Sequence, residues 1–319
     1  MKLLVVIVNY RTADLTIACL RSLVDEIASI PSAEVVITDN ASGDDSIARL
    51  SAAIAQNGWS QWARLMPLSE NGGFAWGNNA AIEPALKSAE PPEYVYLLNP
   101  DTLMKPGGIR ELVRFLDEHP QVGIAGGASV NGDGVPLSSG FRFHSIRGEF
   151  EGGIRLGVVS RVLKDHIVAT GAHTQAQPVD WVVGASMMIR KAVFDRIGVF
   201  DPKYFMYFEE VDFCMRARKA GFQTWTVPQS EIVHLVGASS GVTSNAQVQK
   251  RRPRYWFDSR HRFFVRHYGI VRTVLADVAF AGGYAFHCIL RKIRRKPRTD
   301  PPYLLWDFVR YNMTSWSHR

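Results

Sequence analysis

The chain's 319 residues are enough to bury a sizeable core, as one large domain or as one domain with an appendage. With 46% hydrophobic and 21% charged residues the composition argues against disorder, and three scattered cysteines (Cys19, Cys214, Cys288) argue against a disulfide frame or a paired-thiol zinc site. The net charge of +7 is unevenly placed: Lys250 to Arg298 carry fourteen Lys or Arg against only Asp258 and Asp277, so the rest of the chain is net acidic and the basic stretch suits an anionic partner.

In chain order, Leu3–Val8 is a short apolar run behind a single Lys, with no small-residue cleavage site. It reads as the first core strand of a cytosolic protein rather than as a signal peptide. Val35–Thr38 and Tyr94–Leu98 are further predicted strands. Asp14–Ile27, Asp44–Ile54 and Gly73–Leu86 are predicted helices, with Asp14 and Asp44 as N-caps. Pro106–Glu118 is another helix, with Pro near its first position, where the lost N–H is harmless. This alternation implies crossover units, hence an α/β fold with a mainly parallel sheet and helices on both faces.

Gly132 to Gln177 has weak periodicity and many glycines, and reads as a long loop or small subdomain. Strands are predicted at Val179–Val183 and Ser186–Ile189, then a helix at Glu209–Ala220 closed by Gly221, then strands at Gln223–Val227 and Ile232–Leu235. Residues 1–245 form the expected main domain and 246–319 a helical, basic C-terminal segment. There, Tyr255, Trp256, Phe257, Phe263, Phe264 and Tyr268 interleave with Arg254, Arg260, Arg262 and Arg266, and an apolar Val274–Leu290 precedes a basic run. A spanning helix needs about 20 apolar residues. Arg272, Asp277 and His287 interrupt that frame, so a helix lying at an anionic membrane surface is expected. The alternative is a helix packed on the main domain with a solvated basic tail.

Polar clusters follow the strands. They are Val8-Asn9-Tyr10-Arg11, Asp39-Asn40-Ala41-Ser42, and Asn99-Pro100-Asp101, with Asn71-Gly72-Gly73 and Asn78 around the start of a helix. In an open parallel sheet, ligands bind beyond the carboxyl ends of the strands, so these clusters should converge. Asp39 can pair with a base or a ribose, or cap its own turn. Asn71-Gly72-Gly73 offers close backbone approach and helix N-terminal N–H groups to a phosphate. A divalent cation bridging Asp101 to a diphosphate would explain a carboxylate placed after an apolar strand. Glu209, Glu210 and Asp212 crowd the first turn of a late helix behind an aromatic run. Beyond dipole compensation, a carboxyl beside apolar rings has a raised pKa and can serve as a general base. His234 can be a neutral metal ligand or an ordinary core histidine.

These residues, in this order and spacing over about residues 3–240, make the chain resemble the family 2 glycosyltransferases of the GT-A fold, and most the bacterial rhamnosyltransferase-like branch. The resemblance implies that Asn9, Tyr10, Asp39 and Asn40 hold the nucleoside and that Asn71 and Gly73 lie along the donor. Asn99-Pro100-Asp101 takes the place of the family's Asp-x-Asp metal motif, with Asn at its first position, and His234 completes a Mg²⁺ or Mn²⁺ site. Glu210 falls where the family has its catalytic Asp, with Glu209 and Asp212 as rivals. Trp181, Gly184 and Ala185 line the acceptor side.

The implied reaction is inverting transfer from a nucleotide-diphosphate sugar, dTDP-L-rhamnose or else a UDP-hexose, to a lipid-linked saccharide or polysaccharide at the inner face of the cytoplasmic membrane. A nucleotidyltransferase would show a Gly-rich N-terminal loop, which is missing after Val8. A nucleic-acid binder would leave the acids at 209–212 unexplained, so no nucleic-acid partner is expected. An inactive, scaffold-like relative is the remaining alternative.

Overall fold

The computed structural model describes residues 3–30, 32–235 and 250–314; the expected boundary at 245/246 lies outside them. The chain divides into two compact units. The larger takes residues up to 141, then 171–205 and 209–235, and the second takes 142–170, 206–208 and 250–314.

Strands and helices alternate through the first half: β1 (Leu3–Asn9), α1 (Ala13–Ala28), β2 (Ala33–Asp39), α2 (Ser46–Gln56), β3 (Ala63–Pro67), α3 (Gly73–Leu86), β4 (Tyr94–Leu98), β5 (Thr102–Met104), α4 (Gly108–Glu118) and β6 (Val122–Val130). The short strands β7 (Pro136–Leu137) and β8 (Gly140–Phe141) follow. After them come α5 (Ile146–Ile154) and α6 (Gly157–Val162), both in the second unit. The larger unit is completed by β9 (Gln177–Val179), β10 (Trp181–Val182), β11 (Ser186–Arg190), α7 (Lys191–Ile197), α8 (Glu209–Lys219) and β12 (Gln223–His234). The second unit ends with α9 (Arg254–Ile293) and α10 (Leu304–Thr314).

The main sheet runs β3-β2-β1-β4-β11-β6-β12-β5. From β3 to β4 all pairs are parallel. β11 is inserted antiparallel to both β4 and β6, and β12 runs parallel to β6. Every residue of β1 and β4 is buried, as strands covered on both faces must be. Leu20 and Leu23 of α1, Leu50 of α2, and Ile109, Leu112 and Leu116 of α4 supply the apolar stripes of a core shared with β1, β2 and β4.

Several expected boundaries move for local reasons. The N-cap positions belong to Thr12 and Asp45, not to Asp14 and Asp44. Asp14 sits in the first turn of α1, paired with Arg49, and Asp44 accepts the Ser46 N–H at 3.0 Å in the turn ahead of α2. α4 starts at Gly108 because Gly107 adopts φ 82°, leaving Pro106 outside the helix. The two strands expected after Gly221 are one, β12, with a break in register between Val227 and Glu231. Within 132–177 the chain forms short strands and two helices rather than one loop.

In the second unit α9 changes direction at Gly269, where φ is 76°. Beyond it, one helix face packs on α5 so closely that a Cβ on Gly153 would come within 2.6 Å of the Phe280 carbonyl oxygen. Phe257, Tyr284, Leu304 and Phe308 form the local core. Arg260 is fully buried and paired with Glu149 at 2.7 Å and Asp277 at 2.5 Å. Burial pushes the Glu149 carboxyl up, but Arg260 and His144 outweigh it and hold it at about 2.

Candidate active site

Register alone brings the first two clusters together. Asn9 and Asp39 are paired residues at the carboxyl ends of β1 and β2. Asn9 Nδ2 donates to Asp39 Oδ2 at 2.7 Å, and its Oδ1 accepts the Thr12 and Thr16 hydroxyls at 3.0 and 2.9 Å. Ser42 ties the arrangement: its hydroxyl donates to Asp39 at 2.7 Å and accepts the Arg11 N–H at 2.9 Å, and its carbonyl accepts Arg11 Nε at 2.7 Å. Asn9 and Asp39 are thus fully buried braces. The surface they hold up is made by Tyr10, 39% exposed, with the Arg11 guanidinium 5.2 Å from its ring centre. Val8, two residues before Tyr10, is packed so closely on α3 that a Cβ on Gly77 would strike its side chain at 2.7 Å. Ser42 was not among the expected ligand residues, yet its signal was present: a small hydroxyl three residues after a strand-end Asp.

The glycine-rich turn docks on this edge. Asn40 Nδ2 donates to Asn71 Oδ1 at 3.1 Å and to the Gly73 carbonyl at 2.9 Å, and Asn71 Oδ1 also accepts the Gly73 N–H at 3.0 Å. Gly73 has φ 88°, and a Cβ there would lie 1.8 Å from the Phe205 carbonyl oxygen, which accepts the Phe74 N–H at 2.8 Å. Only glycine fits that position. Gly72 is equally confined, by Trp76 at 2.3 Å. Asn78 is buried, with Nδ2 donating to the Phe74 carbonyl at 2.9 Å, so it fixes the first turn of α3.

At the end of β4, Asn99 and Pro100 lead into Asp101. Its Oδ1 is buried 3.4 Å from Nε2 of His234, the last residue of β12. His234 pairs in register with Thr102 of β5, so sheet geometry sets the approach. A carboxylate oxygen beside an imidazole nitrogen is a donor pair that suits a divalent cation. Among the described residues no third His, Cys, Asp or Glu joins them.

The three acids of α8 part company. Asp212 is fully buried, and Arg216 donates Nε to it at 2.8 Å while its other nitrogens donate to the Ile197 and Val199 carbonyls at 2.7 and 3.0 Å. Asp212 therefore anchors the chain ahead of α8. Glu209 is buried, and its Oε2 is enclosed without a partner. Glu210 is less enclosed, and its Oε1 accepts the Gly184 N–H at 3.4 Å. Burial pushes both glutamate carboxyls up. The charge of Glu210 pushes Glu209 further, whereas a hydrogen bond from Glu209 helps to keep Glu210 ionised. Glu209 is thus pushed further up than Glu210, which makes Glu210 the better acceptor of the two.

Short contacts link all of these positions. A Cβ on Gly184 would meet Phe74 of α3 at 2.8 Å, and the neighbouring Ala185 carbonyl accepts the Asn99 N–H at 3.3 Å. Glu210, the glycine-rich turn and the Asn99–Asp101 turn thus gather at the carboxyl end of β4. Trp181 is stacked on Phe141, with ring centres 4.3 Å apart. A groove lies at the opposite end, at the first residues of β2 and β3 (Glu34, Trp62, Arg64), where an open sheet of this type does not bind its ligand.

A family model described as glycosyltransferase like family 2 matches residues 2–259. The chain belongs to that family. This family 2 glycosyltransferase-like chain is 30% identical over 190 residues to the N-acetylglucosaminyl-diphospho-decaprenol L-rhamnosyltransferase of Mycobacterium tuberculosis, covering 56% of the chain and 60% of that relative. Its match to the rhamnosyltransferase WbbL of Escherichia coli is 26% over 166 residues, with 51% of the chain and 60% of the relative covered. The chain therefore spans about 60% of the length of these relatives. Among solved structures, the mannosyltransferase PcManGT from Pyrobaculum calidifontis, in complex with GDP-Man and Mn²⁺, superposes with a TM-score of 0.57 at 15% identity, over 100% of this chain and 88% of that one. That likeness establishes the GT-A fold.

Proposed function

We propose that the chain transfers a sugar from a nucleotide-diphosphate carrier to an acceptor hydroxyl with inversion, with Glu210 as the general base. The observation that carries this reading is the position of the Glu210 carboxylate, held by Gly184 one residue from the Ala185–Asn99 contact that leads to Asp101. In the proposed step, Glu210 accepts the proton of the acceptor hydroxyl as its oxygen attacks the anomeric carbon. The bond from that carbon to the diphosphate oxygen breaks on the opposite face. Tyr10 and Arg11 receive the nucleoside, braced by Asn9, Asp39 and Ser42, and Asn71, Gly72 and Gly73 lie along the donor, the glycines allowing its close approach to the backbone. A Mg²⁺ or Mn²⁺ ion held by Asp101 and His234 supplies neutralisation of charge on the leaving diphosphate.

The rhamnosyltransferase names of the two relatives support dTDP-L-rhamnose as donor, and the lipid-linked substrate in the name of the mycobacterial one supports a lipid-linked saccharide as acceptor. A membrane surface is the place to meet such an acceptor. Supporting this, α9 holds a stretch long and apolar enough to cross a bilayer, and beyond Gly269 it exposes Val271, Val274, Val278, Phe286, Ile289 and Ile293 along one stripe. The opposite face packs on α5 and α10 and carries Asp277 and His287, so the helix suits an interfacial position better than a spanning one.

Glu210→Gln is expected to abolish transfer while leaving sugar-nucleotide affinity, measured by calorimetry, within about threefold of the parent, since only the proton acceptor is lost. Retention of most turnover by this variant would move the base to another residue.

A further inference from the structure

Several arginines of the second unit, the fully buried Arg260 among them, have a carboxylate partner. Arg260 has Glu149 and Asp277, Arg251 has Asp307, and Arg155 and Arg291 share Asp300. Arg252, two residues before α9, has none among the described residues. Its Nε is enclosed without an acceptor, and its guanidinium carbon lies over Trp256, 4.6 Å from the ring centre. The surroundings do not compensate: burial disfavours the charged form, and the positive charge of nearby Arg155 disfavours it further, with Tyr207 opposing them. Asp300, the carboxylate that Arg155 reaches, is engaged by Arg291 as well.

An arginine held in this way is unfavourable for the protein alone. The same arrangement is favourable once an anion arrives. The aromatic shelf fixes the plane of the guanidinium, whose fork matches the oxygens of a phosphate. Arg252 is only half-buried, so a solute can reach it. Nearby, Tyr207 and Phe208 both have left-handed backbones, φ 70° and 67°, and Tyr207 stacks on Tyr255. Two successive bulky residues in that region are strained, and such strain clusters at ligand sites. In the chain, Tyr207 is three residues from Glu210.

We propose that Arg252, seated on Trp256 with Arg155 and Tyr207 nearby, is a receptor for the diphosphate of a substrate. The inference rests on the glycosyl-transfer reading for its ligand class, because that reaction offers two diphosphates: the sugar nucleotide, and an acceptor whose saccharide is joined to a lipid through diphosphate. The test needs no turnover, so it stands apart from the assignment of Glu210. Inorganic pyrophosphate, dTDP and farnesyl diphosphate are titrated calorimetrically into the parent chain, Arg252→Met and Arg252→Lys, and the unfolding temperature of each unliganded protein is recorded.

Arg252→Met should bind pyrophosphate at least about tenfold more weakly, the loss expected for a charge-assisted contact, and should unfold at the parent temperature or above it. Arg252→Lys keeps the charge and should weaken binding less. A parallel loss for dTDP assigns the site to the donor, and one for farnesyl diphosphate assigns it to the acceptor. The proposal is overturned if the parent does not bind pyrophosphate, if both variants bind all three probes as the parent does, or if Arg252→Met unfolds several degrees lower with binding unchanged, which is the mark of a structural arginine.

Discussion

Glu209 and Glu210 stand side by side in the first turn of α8, and burial raises both carboxyls. Like charges this close cannot both ionise at little cost, so on the proposed reading the pair divides its roles, Glu209 favouring the protonated form and Glu210 accepting a proton. A raised carboxyl means that the folded chain holds a proton which the unfolded chain releases. Stability is then highest at low pH and falls as pH rises from the ordinary carboxylate range toward the raised values. Glu209→Gln keeps a hydrogen-bond donor for Glu210 and removes a buried titrating group. We expect a higher unfolding temperature at pH 7, with the acid limb of the rate profile kept near its parent position. Thermal denaturation and a pH series of initial rates would check both, and a lower unfolding temperature at pH 7 would contradict the division of roles. From sequence, three acids in one turn were visible as a cluster but not as different in kind. What separates them is long-range: the Arg216 side chain reaches Asp212 within the helix, yet its remaining donors are spent on carbonyls at 197 and 199.

At the level of elements, β1, β4 and α3 were legible because a fully buried strand and a glycine-opened helix carry their own local signals. β6 was not, because its glycines (Val122-Gly123-Ile124-Ala125-Gly126-Gly127) break the apolar run. They are there for the neighbours: a Cβ on Gly126 would meet Val182 at 2.7 Å, and one on Gly127 would meet the Ser186 hydroxyl at 2.8 Å. The candidate site was legible for a related reason, since its residues sit at strand ends, where topology alone decides that they meet. α9 has the opposite character. Its inner face is explained by packing and its outer face by nothing in the unit itself. Val278→Asp with Ile289→Asp should reduce co-flotation with phosphatidylglycerol vesicles by about tenfold or more, given roughly 1.5–3 kcal/mol for each large apolar side chain withdrawn from water. Helical content by circular dichroism should be unchanged. A parent chain that stays in the aqueous fraction, at low and at high salt, would remove the membrane from the account.

For the whole molecule, Tyr10, Asp101, His234 and the acids of α8, the residues proposed to hold the donor and the cation and to accept the proton, belong to one unit, so ligation there should register in its global stability. With Mn²⁺ present, dTDP-L-rhamnose is expected to raise the unfolding temperature, as any ligand of the native state does. EDTA or Asp101→Asn should remove most of that rise while leaving the unliganded transition near its original temperature. A panel including UDP-hexoses decides the donor, because the nucleotide that gives the largest metal-dependent rise is the one the site fits. An equal rise in EDTA would mean that the diphosphate is held without a cation.

The placement of β11 also bears on how the chain comes to be folded. This strand lies between β4 and β6 but is made eighty-eight residues after β4 ends, with the 142–170 segment in between. During synthesis the hydrogen-bonding edge of β4 must stay bare until Arg190 has left the ribosome, while β1, β2 and β3 can already pair with one another. Contacts of such long range form late and leave an adhesive strand edge open in the meantime. Nascent chains halted just before residue 186 should therefore be the ones that most depend on chaperones.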